Sequence, residues 1–239
     1  MIIKTFEQFI VEGINDPNIL KAVFLAGGPG SGKSYAAKRI FGIDDNISSR
    51  TSSLGLKVLN SDVMFEFMLG KDGLKSSDLM KMSPDEFKKY TMGPESKRGF
   101  AKNLTKKQLE LWIAGRLGII IDGTGKDYDK IAKMKKKLED IGYDTSMVFV
   151  NTSLPVAQER NQMRDRTLPT DMVEEMWDQV QQNIGKFQSL FKNNMVILDN
   201  SEVGDFNKMH GEKIKAIEKL IKSPVKNLKG KAWMKSQRV

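Results

Sequence analysis

The chain has 239 residues, no cysteine, and 39 Lys and Arg against 30 Asp and Glu, which gives a net charge of +9. The lack of cysteine excludes a disulfide framework and a cysteine-based zinc site, and no apolar run approaches the roughly eighteen residues of a membrane span. We therefore expect a soluble cytoplasmic protein with one α/β domain and no membrane partner. The positive charge favours polyanions, and both nucleic acid and a small phosphorylated molecule would satisfy it.

A glycine-rich loop follows the first predicted strand. Residues 27–34 read Gly-Gly-Pro-Gly-Ser-Gly-Lys-Ser, which matches the phosphate-binding pattern G-x-x-x-x-G-K-[ST]. Glycine lets the main-chain N–H groups curl closely around phosphate oxygens, and a helix over about Ser34 to Phe41 would direct its positive end at the anion. Lys33 is predicted to reach the β- and γ-phosphates, and Ser34 to be a ligand of Mg²⁺. The predicted nucleotide-binding residues are Gly28, Pro29, Gly30, Ser31, Gly32, Lys33 and Ser34.

Short apolar runs alternate with helical patterns along the chain. Because these runs lack alternation between apolar and polar positions, we expect strands that are buried on both faces, as in a parallel sheet. The predicted fold is therefore an α/β P-loop NTPase fold with a five-stranded parallel sheet flanked by helices. The predicted strands are Ala22 to Ala26, Leu56 to Leu59, Gly118 to Ile121, Met147 to Val150 and Met195 to Leu198.

Two segments between the strands have their own character. The stretch from Asp44 to Gly55 is rich in Ser, Asp and Asn, which is typical of a flexible loop. The segment from Val63 to Leu117 is too long for one crossover helix, and helix starts are predicted at Ser83 and at Thr105. We interpret it as a helical substrate-binding insertion, with a structural elaboration that binds no ligand as the alternative.

Acidic residues end two of the predicted strands, at the edge of the sheet where ligands of open α/β folds bind. Asp122 would hold the magnesium shell, or would cap the next helix. Asp62 would accept the proton of an attacking hydroxyl and orient it toward the γ-phosphate, or would cap the helix that begins near Val63.

Arginines cluster after the fourth strand. Arg160 and Arg164 are four residues apart on one predicted helical face, and Arg166 lies in the turn before Leu168 and Pro169. Such an Arg-rich lid can stabilise a transferring phosphoryl group; a solvated helical face is the alternative. From Ser223 onward basic residues occur without acidic ones, which predicts a mobile, solvated tail.

Taken in order, the phosphate loop, Asn-Ser-Asp62, Asp122-Gly-Thr-Gly and the lid ending Arg166-Thr-Leu-Pro resemble the P-loop kinases of the zeta-toxin and polynucleotide-kinase group. The resemblance covers roughly residues 21–200. It implies transfer of phosphate from ATP, with Mg²⁺, to a hydroxyl of a nucleotide, a nucleotide sugar or a nucleic-acid 5′ end. Carried over residue by residue, the catalytic set is Lys33, Asp62, Arg160, Arg164 and Arg166.

A second resemblance concerns the first residues. Lys4 to Gly13 resembles the capsid-targeting peptides of internal head proteins of tailed bacteriophages, and Ile10-Val11-Glu12 fits the Ile-x-Glu cleavage pattern of the prohead protease. It implies a viral enzyme that acts in the host cytoplasm, is packaged in the phage head and has the capsid as a partner. The alternative is an amphipathic helix that packs on the domain. We accordingly divide the chain into an N-terminal peptide (1–20), a P-loop kinase domain (21–222) and a basic tail (223–239).

Two other whole-protein interpretations stay open. One is an NTP-binding or NTP-hydrolysing module that serves head assembly or nucleic-acid handling. The neighbours of Asp122 weaken it, because Ile121 and Gly123 stand where a second, water-activating acid would be needed. The other is a structural head component that has lost kinase activity, against which the intact motifs argue.

Overall fold

Five parallel strands form the sheet in this computed structural model, which describes residues 14–43, 51–163, 167–202 and 204–237. The order across the sheet is β2-β3-β1-β4-β5, so β1 lies at the centre. The strands are β1 (Lys21–Ala26), β2 (Lys57–Leu59), β3 (Ile119–Asp122), β4 (Asp144–Asn151) and β5 (Met195–Asp199). The predicted five-stranded parallel α/β fold is confirmed, and each observed strand overlaps its predicted run.

Helices connect the strands and cover both faces of the sheet. Within the described ranges they are α1 (Lys33–Phe41), α2 (Ser61–Lys71), α3 (Pro84–Thr91), α4 (Lys97–Ala114), α5 (Tyr128–Asp140), α6 (Leu154–Gln162), α7 (Thr170–Phe191), α8 (Phe206–Lys222) and α9 (Leu228–Ser236). Short 3₁₀ turns cover Ser76–Lys81 and Lys192–Asn194. None of the helices in these ranges combines the length and the apolar character that a membrane crossing requires. Residues 44–50 of the predicted flexible loop, and the N-terminal segment that resembles a capsid-targeting peptide, lie outside the described residues.

The central strand explains why the apolar runs do not alternate with polar residues. Ala22, Phe24 and Ala26 of β1 face one hydrophobic cluster, whereas Val23 and Leu25 face a second cluster on the other side of the sheet. All six residues of β1 are buried. A strand with helices on both faces needs apolar side chains in both directions, which is what the sequence contains.

The insertion between β2 and β3 is helical, as predicted, and has its own core. Phe65, Leu69, Leu79 and Ala101 form a third hydrophobic cluster, separate from the two that flank the sheet. The predicted start at Ser83 is confirmed: its hydroxyl accepts from the N–H of Glu86, and the Glu86 carboxylate accepts from the N–H of Ser83.

The predicted helix start at Thr105 is wrong, because α4 begins at Lys97. Ser96 caps it by accepting from the N–H of Gly99 at 2.9 Å. A Cβ on Gly99 would lie 2.2 Å from the carbonyl oxygen of Gly93, so this first turn packs against the preceding main chain. Residues 97–103 carry little apolar periodicity, and this close packing is not visible in a residue pattern.

The expectation of a mobile C-terminal tail is also wrong, because residues 228–236 form α9, which packs on the domain. Trp233 packs against the main core cluster, with the Arg116 guanidinium 5.6 Å from its ring centre. Asn227 caps α9, and its amide donates to the carbonyl oxygen of Glu139 at 2.9 Å. The basic residues correctly indicated a solvent-exposed face of this segment. They gave no sign of the apolar face by which α9 packs on the domain.

A buried ion pair ties the C-terminal segment to the sheet. Lys21 on β1 is 4% exposed, and its Nζ lies 2.8 Å from Oδ2 of Asp144 on β4. The same carboxylate accepts from the main-chain N–H groups of Lys226 and Asn227, each at 2.8 Å. Asp144 therefore stabilises three segments at the N-terminal edge of the sheet.

We expect Asp144→Ala to lower the free energy of unfolding by about 3–5 kcal/mol, because it leaves the buried Lys21 ammonium without its partner. Glu218→Ala is the matched control: it breaks the partly exposed pair of Glu218 with Lys222 on α8 and should cost only about 0.3–0.5 kcal/mol. Urea unfolding curves of both variants measure the difference. Equal losses would contradict the assigned role of Asp144.

His210 on α8 is a buried group without polar partners. It is 5% exposed, and neither ring nitrogen makes a hydrogen bond within the described ranges. The Phe206 ring stands edge-on, 4.7 Å from the imidazole centre. Burial lowers the pKa of His210, the Lys213 charge lowers it further, and Asp199 opposes the shift.

The lowered pKa of His210 predicts a pH dependence of stability. The imidazole binds a proton more readily in the unfolded chain than in the folded one. The free energy of unfolding is therefore at its full value above the ordinary pKa of 6.5 and declines as the pH falls below it. We expect His210→Phe to flatten the decline of the unfolding free energy between about pH 7 and about pH 5. Denaturant titrations across this interval test it, and parallel curves for the two proteins would contradict it.

Candidate functional site

The glycine-rich loop connects β1 to α1 at the C-terminal edge of the sheet. Gly30 and Gly32 have φ angles of +71° and +76°, in the left-handed region that favours glycine. The N–H groups of Gly30, Gly32 and Lys33 donate no hydrogen bond within the described part of the chain. Free main-chain donors in a tight curve at a helix N-terminus form an anion-binding site. Gly28, Pro29 and Ser31 lie in the same loop, and Ser34 is exposed on the first turn of α1.

Asp122 lies next to this loop because β3 pairs with β1. The register places Asp122 opposite Leu25, two residues before the loop. Lys33 Nζ forms an ion pair with Asp122 Oδ1, and both side chains are largely buried. The alternative role of Asp122 as a helix cap is wrong, since Asp127 caps α5 by accepting from the N–H of Lys130 at 2.9 Å.

Asn60 is a site residue that the sequence patterns did not single out. Its Nδ2 donates to Asp122 Oδ2 at 2.6 Å, and its Oδ1 accepts from the N–H of Asp62 at 2.8 Å. Asn60 therefore caps α2, and the alternative role of Asp62 as that cap is wrong. The signal was available, because Asn directly before a helical pattern is a preferred N-cap.

Asp62 stands at the start of α2 with its side chain 63% exposed. Its Oδ1 accepts from Nη2 of Arg98 at 2.7 Å, and the guanidinium of Arg98 lies 5.2 Å from the centre of the Phe65 ring. No residue pattern indicated Arg98, which lies on α4, 36 positions further along the chain. The helical insertion thus contributes a carboxylate and a guanidinium side by side.

Arg160 lies beside the glycine-rich loop, as expected for a residue that contacts phosphate. Its Nη1 donates to the carbonyl oxygen of Asn200 at 2.8 Å, and Nδ2 of Asn200 donates to the carbonyl oxygen of Ser31 at 2.8 Å. Asn200 is buried and directly follows β5. Sequence reasoning missed it, although a polar residue at a strand end was the available signal.

Arg164 and Arg166 lie outside the described residues, so their place in a lid stays a prediction. Asn161, near the end of α6, hydrogen-bonds to the main chain of Leu168, just before α7. Its Nδ2 donates to the carbonyl oxygen of Leu168 at 2.8 Å, and its Oδ1 accepts from the N–H of Leu168 at 3.1 Å. This double hydrogen bond fixes the start of α7 relative to the end of α6.

The donor set fits a magnesium ion that shares its shell with phosphate and water. Among the described residues there is no group of three or more His, Cys, Asp or Glu side chains that could hold a metal alone. Mg²⁺ in nucleotide sites uses one or two protein oxygens and completes its octahedron with phosphate oxygens and water. The Ser34 hydroxyl and the Asp122 carboxylate, both at this edge of the sheet, are such oxygens.

A family model covers the residues of this site. The family model described as an AAA domain matches residues 23–187, which include the loop, both site aspartates and Arg160. A comparison with curated proteins found no match.

A comparison with solved structures found similar chains at low sequence identity. A structure of the PezAT chromosomal toxin-antitoxin system of Streptococcus pneumoniae is 14% identical, with a TM-score of 0.50 over 99% of this chain and 96% of that chain. A gluconokinase from Sinorhizobium meliloti 1021 is 14% identical, with a TM-score of 0.48 over 85% and 94% of the two chains. A chain of the Pnkp1/Rnl/Hen1 RNA repair complex is 21% identical, with a TM-score of 0.48; the match covers 71% of this chain but only 46% of that one.

We expect Gly30→Ala to abolish nucleotide binding and to destabilise the fold. The Cβ of the new alanine would lie 2.2 Å from the carbonyl oxygen of Ala157. A non-glycine residue at this φ also lowers the free energy of unfolding by about 1–3 kcal/mol. Gly185→Ala, in the middle of α7 with no atom within 4 Å of the new Cβ, is the control and should stabilise by about 0.5–1 kcal/mol. Thermal unfolding and calorimetric titration with ADP measure both effects. Normal ADP binding by Gly30→Ala would contradict the assignment of the glycine-rich loop as the phosphate-binding site.

Proposed function

We propose that this chain, which belongs to the AAA domain family, is an ATP- and Mg²⁺-dependent kinase that phosphorylates a hydroxyl of a nucleotide, a nucleotide sugar or a nucleic-acid 5′ end. The observation that carries the proposal is the meeting of four polar groups at one edge of the sheet. Lys33, Asp122, Asn60 and the main chain of Asp62 follow one another in hydrogen-bonding contact, directly beside a loop with free N–H donors. This arrangement separates a phosphate side from an acceptor side.

On the phosphate side, the loop N–H groups and Lys33 would bind the β- and γ-phosphates of ATP. Mg²⁺, held by Ser34 and Asp122, would supply positive charge to the phosphate oxygens. Arg160 lies across the loop from these residues and would add a second side-chain cation. Fixed cations stabilise the charge that develops on the transferring group, because they are already oriented when the reaction begins.

On the acceptor side, Asp62 would act as general base. One of its oxygens is held by Arg98, and Oδ2 accepts no hydrogen bond from the described residues, so it is available to an incoming hydroxyl. As the hydroxyl oxygen bonds to the γ-phosphorus, the bond to the β–γ bridging oxygen breaks and ADP leaves. The hydroxyl proton passes to Asp62.

The remaining assignments belong to the proposal as well. Arg164 and Arg166 would complete the positive lid over the transferring phosphate, and the insertion that carries Asp62 and Arg98 would bind the acceptor. The phage capsid as a partner, and packaging in the head, depend on the N-terminal segment. Mass spectrometry of the protein from purified virions, with a search for cleavage after Glu12, would test them.

We expect Asp62→Asn to lower phosphate transfer by about 10²–10⁴-fold, because the amide cannot accept the hydroxyl proton. Transfer is measured with γ-labelled ATP against nucleosides, nucleotide sugars and 5′-hydroxyl oligonucleotides. Asp72→Asn is the matched control. Asp72 is an acid of the same insertion that pairs with Lys97, the neighbour of Arg98 on α4, and its loss should change transfer by less than about twofold.

Lys33→Ala distinguishes transfer by this protein from transfer by a contaminating kinase, since it should remove the labelled product for every acceptor. Equal transfer by Asp62→Asn and Asp72→Asn would show that Asp62 is not the base. Release of inorganic phosphate without any labelled acceptor would favour the hydrolysing module over the kinase.

A further inference from the structure

Among the residues that the structure describes, Asn60 is the side chain that hydrogen-bonds to both sides of the site. Its amide nitrogen donates to Asp122 on β3, and its amide oxygen accepts from the main chain of Asp62 on α2. We propose that Asn60 is a positioning residue that couples nucleotide binding at the loop to the placement of Asp62. This inference rests on the proposed kinase function for its effect on catalysis, but the coupling itself is independent of the acceptor.

The sheet register puts Asn60 where it can do this. Leu59 on β2 pairs with Ile121 on β3, so the next residues, Asn60 and Asp122, are neighbours across the ends of two parallel strands. Asp122 is in turn opposite Leu25 on β1. The hydrogen bond between Asn60 and Asp122 therefore joins the residue between β2 and α2 to the end of β3, beside the glycine-rich loop.

The chemistry of the two partners requires an amide side chain here. Asp122 presents a carboxylate oxygen, which needs a donor, whereas the N–H of Asp62 needs an acceptor. Asn offers one of each in a rigid plane, and the contact to the carboxylate is a short, charge-assisted hydrogen bond of 2.6 Å. Asp would present acceptors to both partners, and Ser is too short to keep both contacts in one rotamer.

Nucleotide binding would perturb this chain of contacts at its other end. Lys33 occupies Asp122 Oδ1 by its ion pair, while Asn60 occupies Oδ2. If Lys33 turns to a phosphate, the Asp122 carboxylate loses one of its two side-chain partners. Of these two contacts, the hydrogen bond from Asn60 then remains. A change at Asp122 then reaches the first turn of α2 through Asn60, and coupling of this kind acts in both directions.

The test follows the Asp62 amide resonance in ¹⁵N-labelled protein during titration with Mg²⁺ and adenylyl imidodiphosphate. We expect the resonance to shift in the wild type. In Asn60→Ser the N-cap is kept and one hydrogen bond is lost, so the protein should stay folded with a modestly lower melting temperature. The nucleotide-induced shift should be lost, while the dissociation constant changes by less than about threefold and kcat falls by about 10–100-fold at unchanged KM for ATP.

Two further variants sharpen the result. Asn60→Thr keeps a cap acceptor but lacks the amide donor to Asp122 and adds no charge, and it should behave like Asn60→Ser. Asn227→Ser is the matched control: Asn227 also caps a helix and donates to main-chain carbonyls, but at the other edge of the sheet. It should lower the melting temperature and leave both the Asp62 response and kcat unchanged.

The coupling is overturned if the wild-type Asp62 resonance does not respond to nucleotide, or if the response survives in Asn60→Ser. Loss of nucleotide binding by Asn60→Ser to the extent seen in Lys33→Ala would also overturn it, because Asn60 would then belong to the phosphate site. If the wild type transfers phosphate to no acceptor, the proposed function fails, while the resonance experiment still decides the coupling.

Discussion

Parallel pairing of β3 with its neighbours is the constraint on which the site depends. In a parallel sheet the carboxyl ends of all strands reach the same edge, so residues far apart in the chain meet there. The register brings Asp122 beside the glycine-rich loop and Asn60 beside Asp122. Because β1 contributes alternate residues to the two hydrophobic clusters, a shift of this register would disrupt the packing of both.

The ion pair of Lys33 with Asp122 shows how the protein holds a largely buried lysine before nucleotide binds. An ammonium ion removed from water needs a partner, and Asp122 provides it. The carboxylate in turn receives a hydrogen bond from Asn60, so both of its oxygens are engaged. In the proposed function, a bound triphosphate would replace one anionic partner of Lys33 by another, and the cost of breaking the ion pair would be offset by new contacts of the same kind.

Sequence patterns predicted the features that are local in the chain. The glycine-rich loop, the five strands and the acids at two strand ends are all set by neighbouring residues, and the structure has each of them in place. Arg98 was not predictable in this way, because its partner Asp62 lies 36 positions away. Asn200 follows a strand, which was a usable signal, but its contact with Arg160, 40 positions away, was not visible in the sequence. The start of α4 and the docking of α9 were predicted wrongly for a related reason, since close main-chain packing at Gly99 and Gly230 leaves no periodic signal.

The separate core of the insertion divides the site into two parts that can change independently. Phe65 and its neighbours stabilise α2 to α4 without using the clusters that flank the sheet. Asp62 and Arg98 belong to this part, whereas Lys33, Asp122 and Arg160 are held by the sheet and its loops. Under the proposed function, the insertion would therefore set the acceptor preference, whereas the sheet and its loops would set the phosphate side. For the proposed transfer, Asp62 and the phosphate would still have to be aligned, and among the described residues the hydrogen bonds of Asn60 span the boundary between the two parts.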